Sequence, residues 1–123
     1  MKKDPKNDDK EIQAIIIDCA IKWANEINQG NYKNANKLNI KINKIIHRIK
    51  NDKEQISRIL LPMLQSSDPS VRLAAAVHTL AQGIEIQNSL QILEDLAADD
   101  STRGVSLMAY TILLKWKKDN IIS

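Results

Sequence analysis

Two histidines, His47 and His78, and one cysteine, Cys19, are the side chains of this 123-residue chain that could ligate a transition metal through nitrogen or sulfur. Their spacing offers neither His-x-x-x-His nor Cys-x-x-Cys, so neither a metal nor any other cofactor is expected. Asp95 and Asp99 stand four apart on one helix face beside Asp100. A hydrolase built on paired carboxylates needs one of them in a cleft with a raised pKa, and no cue for such a cleft is present. Like charges at that spacing repel, so these residues read as a solvated helix end, with Asp99, Asp100 or Ser101 as cap, or as an acidic contact patch. Gly30, Gly83 and Gly104 lie far apart at helix boundaries and cannot form a phosphate-cradling loop, and no nucleophile motif occurs. A non-enzymatic role is therefore expected.

The most prominent charged pattern is basic. Lys37, Lys41, Lys44 and Arg48, with Lys33 leading in, fall on one side of a helix. Three readings apply: a solvated face, a surface for an acidic protein partner, or a track for phosphate backbone. Four aromatics in the whole chain, Trp23, Tyr32, Tyr110 and Trp116, leave little for base stacking, and the net charge is only +3. Nucleic acid is thus the alternative partner and protein the favoured one. The charge is uneven: thirteen Lys/Arg face eight Asp/Glu through Arg58, and five face seven from Ile59 onward.

The elements that must carry these residues are helical. Hydrophobic content of 43% and charged content of 27% are near globular averages. A chain of this length can bury roughly 65% of its extended surface. Helical periodicity dominates, and no segment shows the alternation and turn pairs of a β-hairpin. About six helices are predicted. The first follows a cap at Asp8 or Asp9, buries Ile12, Ile15, Ile16, Cys19, Trp23 and Ile27, and stops near Gly30. The second spans Tyr32 to Lys50 with Leu38, Ile42, Ile45 and Ile49 inward. The third spans Lys53 to Gln65 and bends at Pro62. The fourth begins at Pro69 behind the Asp68 cap and ends at Gly83. A fifth runs from Glu85 to Ala98, burying Ile86, Leu90, Leu93 and Leu96, and a sixth from Val105 to Lys118. Residues 1–9 are expected as a disordered charged N-terminus and 10–120 as one domain. Cys19 among Ile16, Ile17 and Ala20 reads as a buried thiol in a reducing, cytoplasmic setting. The run AIIIDCAIKWA is short and broken by Asp18, so no membrane segment is expected.

The fourth helix is apolar around most of its circumference. Its one narrow polar strip holds Arg72, His78, Thr79 and Gln82; His78, at the strip's edge, reads as an ordinary boundary histidine or as a partner contact. Val71, Leu73, Ala75 and Leu80 recur 34 residues later as Val105, Leu107, Ala109 and Leu114, and Leu61 and Leu64 recur as Leu93 and Leu96. A repeated helical hairpin that cannot cover its own apolar face must stack on the next copy, and Ala75 and Ala109 would let two helix axes approach closely.

The unit LLPMLQSSDPSVRLAAAVHTLAQG, with Pro62 in its first helix, Asp68 and Pro69 at the turn, and Val71, Arg72, Ala74 and Ala75 in its second, resembles a HEAT-like repeat. GNYKNANKL, Gly30 to Leu38, followed by this unit, resembles a family of small bacterial helical domains of unknown function. Some members of that family are suspected to be immunity proteins against polymorphic toxins. The resemblance implies an all-α fold, a short right-handed α-solenoid with helices in antiparallel pairs, and a protein-binding role, with a toxin as the candidate partner. On analogy with HEAT arrays, second helices line the concave side, so Arg72, His78, Thr79 and Gln82, flanked by Arg103, are the expected contacts. The oligomeric state is left open.

Overall fold

Local signals place most helix boundaries where capping chemistry can satisfy the backbone. In the computed structural model, which describes residues 5–122 and the side chains of 8–119, there are six α-helices and no strand. They are α1 (Pro5–Asn28), α2 (Tyr32–Ile49), α3 (Lys53–Met63), α4 (Pro69–Ala81), α5 (Ile86–Ala98) and α6 (Arg103–Ile122). Asp52 caps α3 by accepting from the Gln55 N–H at 3.0 Å, and Asp68 caps α4 by accepting from the Ser70 N–H at 2.8 Å. Gly30 and Gly83 close α1 and α4 with positive φ. At each, the following N–H reaches back to the carbonyl five residues earlier, Asn31 to Glu26 and Ile84 to Thr79.

The amino terminus departs from expectation. α1 begins at Pro5, so Asp8 and Asp9 lie within the helix rather than before it, and residues 5–9 belong to α1 instead of a disordered segment. The rest of that expected segment, residues 1–4, lies outside the described residues. The reason is chemical: Asp9 spends its carboxylate across the fold, accepting from Arg58 Nε at 2.8 Å and from Gln55 Nε2 at 3.1 Å on α3. The Arg58 guanidinium holds the Asp9 carboxyl below the usual range. A second tie, Gln13 Nε2 donating to the Ile59 carbonyl at 2.9 Å, seats α1 on α3.

The core is Ile, Leu and Ala with little aromatic material, as the composition requires. Ile16, Cys19, Ala20 and Trp23 come from α1, Ile42 and Ile46 from α2, and Ile56, Ile59 and Leu60 from α3. Ile15 and Ile86, expected inside, are exposed at helix edges. α4 lies at the centre, packing on α1, α3, α5 and α6, and most of its residues are buried, with Arg72, Ala74 and Val77 half-buried. α1 in turn packs on α2, α3, α4 and α6. The first helix therefore reaches the last hairpin.

That reach depends on Gly104. It sits in the first turn of α6, where a Cβ would collide with Ile27 near the end of α1; Ile27 Cβ would stand 3.3 Å from it. Ile27 is β-branched and stiff, so it cannot swing clear cheaply. Gly104→Ala should therefore lower unfolding stability by about 1 kcal/mol in urea titration, despite alanine's better helix propensity, because overpacking outweighs that gain. An equal or higher midpoint would show that the α1–α6 contact has slack.

Candidate partner-binding groove

Of the residue pairs that recur at a spacing of 34, Ala75 and Ala109 are both fully buried, and Val71 and Val105 are likewise buried. The other two pairs separate. Leu73 and Leu80 on α4 are each 4% exposed, whereas Leu107 and Leu114 on α6 are 67% and 51% exposed. Tyr110, between them, is 53% exposed. α6 packs its Val105, Ala109 and Leu113 side inward. At 100° per residue, Leu107, Tyr110 and Leu114 fall on the opposite side. An apolar ridge thus stands on α6, with Arg103, Lys117 and Lys118 around it, all exposed.

Beside the ridge runs a groove. α2 and α6 both pack on α1, and side chains of α1 and α4 form the floor between them. Its centre is a cavity of about 180 Å³ lined by Trp23, Ile42, Leu73, Ala74, Met108 and Ile112, among others. Trp23 and Met108 also line a wider depression toward the amino end of α6, with Ile27, Tyr32, Arg103 and Leu107. Val77 and Ile112 are shared with a third depression toward Trp116 and Asp119. Through these shared residues the three follow one another along α6 from Arg103 to Asp119, roughly 24 Å at the helical rise per residue.

The four contacts expected on the polar strip of α4 and the flanking Arg103 do not form one surface. Thr79 has no exposure: its hydroxyl donates to the Ala75 carbonyl at 2.8 Å and lies 2.7 Å from the Ser89 hydroxyl. Thr79 has a single proton, so when it goes to Ala75 the Ser89 hydroxyl is the donor to Thr79. This pair joins α4 to α5 and cannot touch a partner. Arg72 is half-buried and donates to the Ser66 carbonyl at 2.8 Å, bracing the α3–α4 turn. Gln82 is the C-cap residue of α4, and its carbonyl accepts from Lys53 Nζ at 3.1 Å. Arg103 is exposed at the start of α6 and lines the groove. His78 is 9% exposed and lines the central cavity.

The strip fails as a surface because Thr79 is enclosed against α5, His78 is nearly so, and Arg72 and Gln82 are tied to neighbouring turns. The basic face, by contrast, is a surface: Lys33, Lys37, Lys41, Lys44 and Arg48 are all exposed, opposite the buried Ala35, Ile42 and Ile46. No carboxylate pairs with any of the five among the described residues. It looks away from the core, while Asn39 and Asn43 on the flank of α2 face the groove.

Asp99 also differs from a simple cap. Its carboxylate accepts from the Ser101 hydroxyl and N–H in the α5–α6 turn, and these bonds hold its pKa below the usual range, with a smaller contribution from Arg72. Asp95 accepts from Gln91 Nε2 on its own helix. No group of three His, Cys, Asp or Glu able to hold a metal occurs among the described residues. No described helix is long and apolar enough to cross a membrane.

Leu107, Tyr110 and Leu114 are the ridge residues whose exposure periodicity missed. A signal for them existed: from Val105 to Trp116 apolar residues occupy every side of α6, which demands cover on every side or a partner for the bare one. Comparison with family models, curated proteins and solved structures finds no match for this chain.

Burial pushes the His78 imidazole down to about 4 from its ordinary 6.5. The unfolded chain takes up this proton near pH 6.5 and the folded one only near 4, so stability is complete above 6.5 and declines as pH falls through that window. The full loss is on the order of 3 kcal/mol, with roughly 2 of it between pH 7 and 5, where most carboxylates stay ionised. Urea unfolding should register this decline in the natural chain. His78→Leu should show a flat profile there.

Proposed function

We propose that this chain is a non-enzymatic protein-binding module, and that α6 with the adjoining groove is its binding face. One observation carries the reading. Leu73 and Leu80 are covered on α4 while their counterparts Leu107 and Leu114 stand bare on α6, with Tyr110 between them. A ridge of large apolar side chains rimmed by charge marks a surface that another protein covers. Aromatic and leucine anchors beside a concave groove suit an amphipathic helix laid along α6.

In this reading α3–α4 and α5–α6 are two HEAT-like units, and the ridge lies where a further unit would stack in a longer α-solenoid. The resemblance carried by GNYKNANKL and the HEAT-like unit supports a more specific role, that of a cytoplasmic immunity protein blocking a bacterial toxin. A rigid helical array loses little entropy when it docks, which suits tight inhibition. The docking face is α6 rather than the polar strip of α4 first expected.

The test is co-purification with the product of the neighbouring gene. Leu107→Glu/Leu114→Glu should weaken that complex at least a hundredfold, since each change places a charge in an apolar contact, while the circular dichroism spectrum and unfolding midpoint stay near those of the natural chain. Full affinity in the double variant would exclude this face.

The exposed, carboxylate-free basic stripe on α2 favours a second reading, a nucleic-acid binder. In that case binding to duplex DNA or RNA should fall steeply with salt and be lost in Lys41→Glu/Lys44→Glu, and the α6 variant should bind normally.

A further inference from the structure

The cavity at the centre of the groove has a composition that its packing does not account for. Most of its lining is apolar, yet four polar side chains line it: Asn39, Asn43, Ser70 and His78. Ser70 is occupied, its hydroxyl donating to Asp68. The other three make no side-chain hydrogen bond among the described residues. His78 is the telling one, because it is nine-tenths buried and lines the cavity with an imidazole that must both donate and accept when neutral. Its ring nitrogens are not sealed off, since Glu26 Oε2 is the one enclosed polar side-chain atom without a partner among the described residues, so a polar group that enters the cavity can reach them.

Size and chemistry narrow the occupant. A cavity of about 180 Å³ is slightly larger than the roughly 150 Å³ apolar space that holds one benzene ring. Trp23 and Met108 on its walls make favourable contacts with an aromatic ring, edge-on or through sulfur. A charged occupant would lose its hydration against this apolar lining with no counter-charge among the lining residues. A phenol fits both demands: an apolar ring and one hydroxyl that donates and accepts. The cavity opens beside Asn43, its one exposed lining residue, and connects to depressions on both sides along α6. An opening onto an extended groove suits a side chain carried on a polypeptide.

We propose that this cavity is an anchor site for a tyrosine side chain of a partner protein, its ring between Trp23 and Met108 and its hydroxyl paired with His78 and the Asn39 and Asn43 amides. The source of the ring rests on the protein-binding reading above; the chemistry of the site does not.

The full chain is titrated with p-cresol and with toluene, following the His78 ring, Trp23 indole and Met108 methyl signals by NMR. Saturable shifts at these three groups are expected, with toluene binding about 3- to 10-fold more weakly for want of the hydroxyl. Equal affinity for the two, or no saturable shift, overturns the proposal. His78→Leu should bind both compounds alike. Should that variant not fold, Ala74→Leu, which fills the half-buried wall, should abolish both.

N-acetyltyrosinamide separates the sources. Binding with the same shifts supports a tyrosine on a chain, and exclusion of it while p-cresol binds overturns that assignment in favour of a free phenolic ligand. Loss of p-cresol binding strikes the anchor alone. A complex indifferent to Leu107→Glu/Leu114→Glu, with p-cresol still bound, strikes the docking face alone.

Discussion

The burial of α4 is the constraint on which the other helices depend. Thirteen residues long, it places Val71, Leu73, Ala75, Ala76, Thr79 and Leu80 over rather more than half of its circumference, and no single neighbour can cover them. Four helices therefore pack on it. Alanine at 75 and 76 lets them come close, since each larger side chain there would hold a neighbouring axis farther out. The α1–α6 contact is a consequence, because covering α4 brings the first and last hairpins together and leaves room only for glycine at 104.

Polarity inside such a packed centre has to be settled locally. Thr79 and Ser89 do so with each other and with the Ala75 carbonyl, making a short hydroxyl chain that registers α5 on α4. Ser106 does so by donating to the Ala97 carbonyl at 2.8 Å. His78 has no such partner, and with the half-buried Asn39 and the exposed Asn43 it lines one cavity.

Covering α4 also determines where apolar surface is left over. A helix packed by neighbours on several sides can bury apolar residues around much of its circumference, as α4 does. α6 has neighbours on one side only, so Leu107, Tyr110 and Leu114 remain outside. The basic stripe on α2 is a separate surface with different physics: its lysines are long, hydrated and directed from the core, suited to charge rather than shape.

The six helices, the cap at Asp68, the glycine stops at 30 and 83 and most of the core were legible in the order of residues, because these features arise from interactions within a few positions of one another. The basic stripe was legible for the same reason. The expected contact strip was not a surface, since whether Thr79 and His78 meet solvent is decided by helices remote in the chain. Asp9 gave up its capping role to Arg58, a partner 49 residues away. Sequence alone determined which helices form and which of their faces are apolar, through backbone geometry and side-chain period. Only tertiary packing decided which of two equivalent leucine faces would be covered, because burial belongs to the neighbours a helix acquires and not to the helix itself.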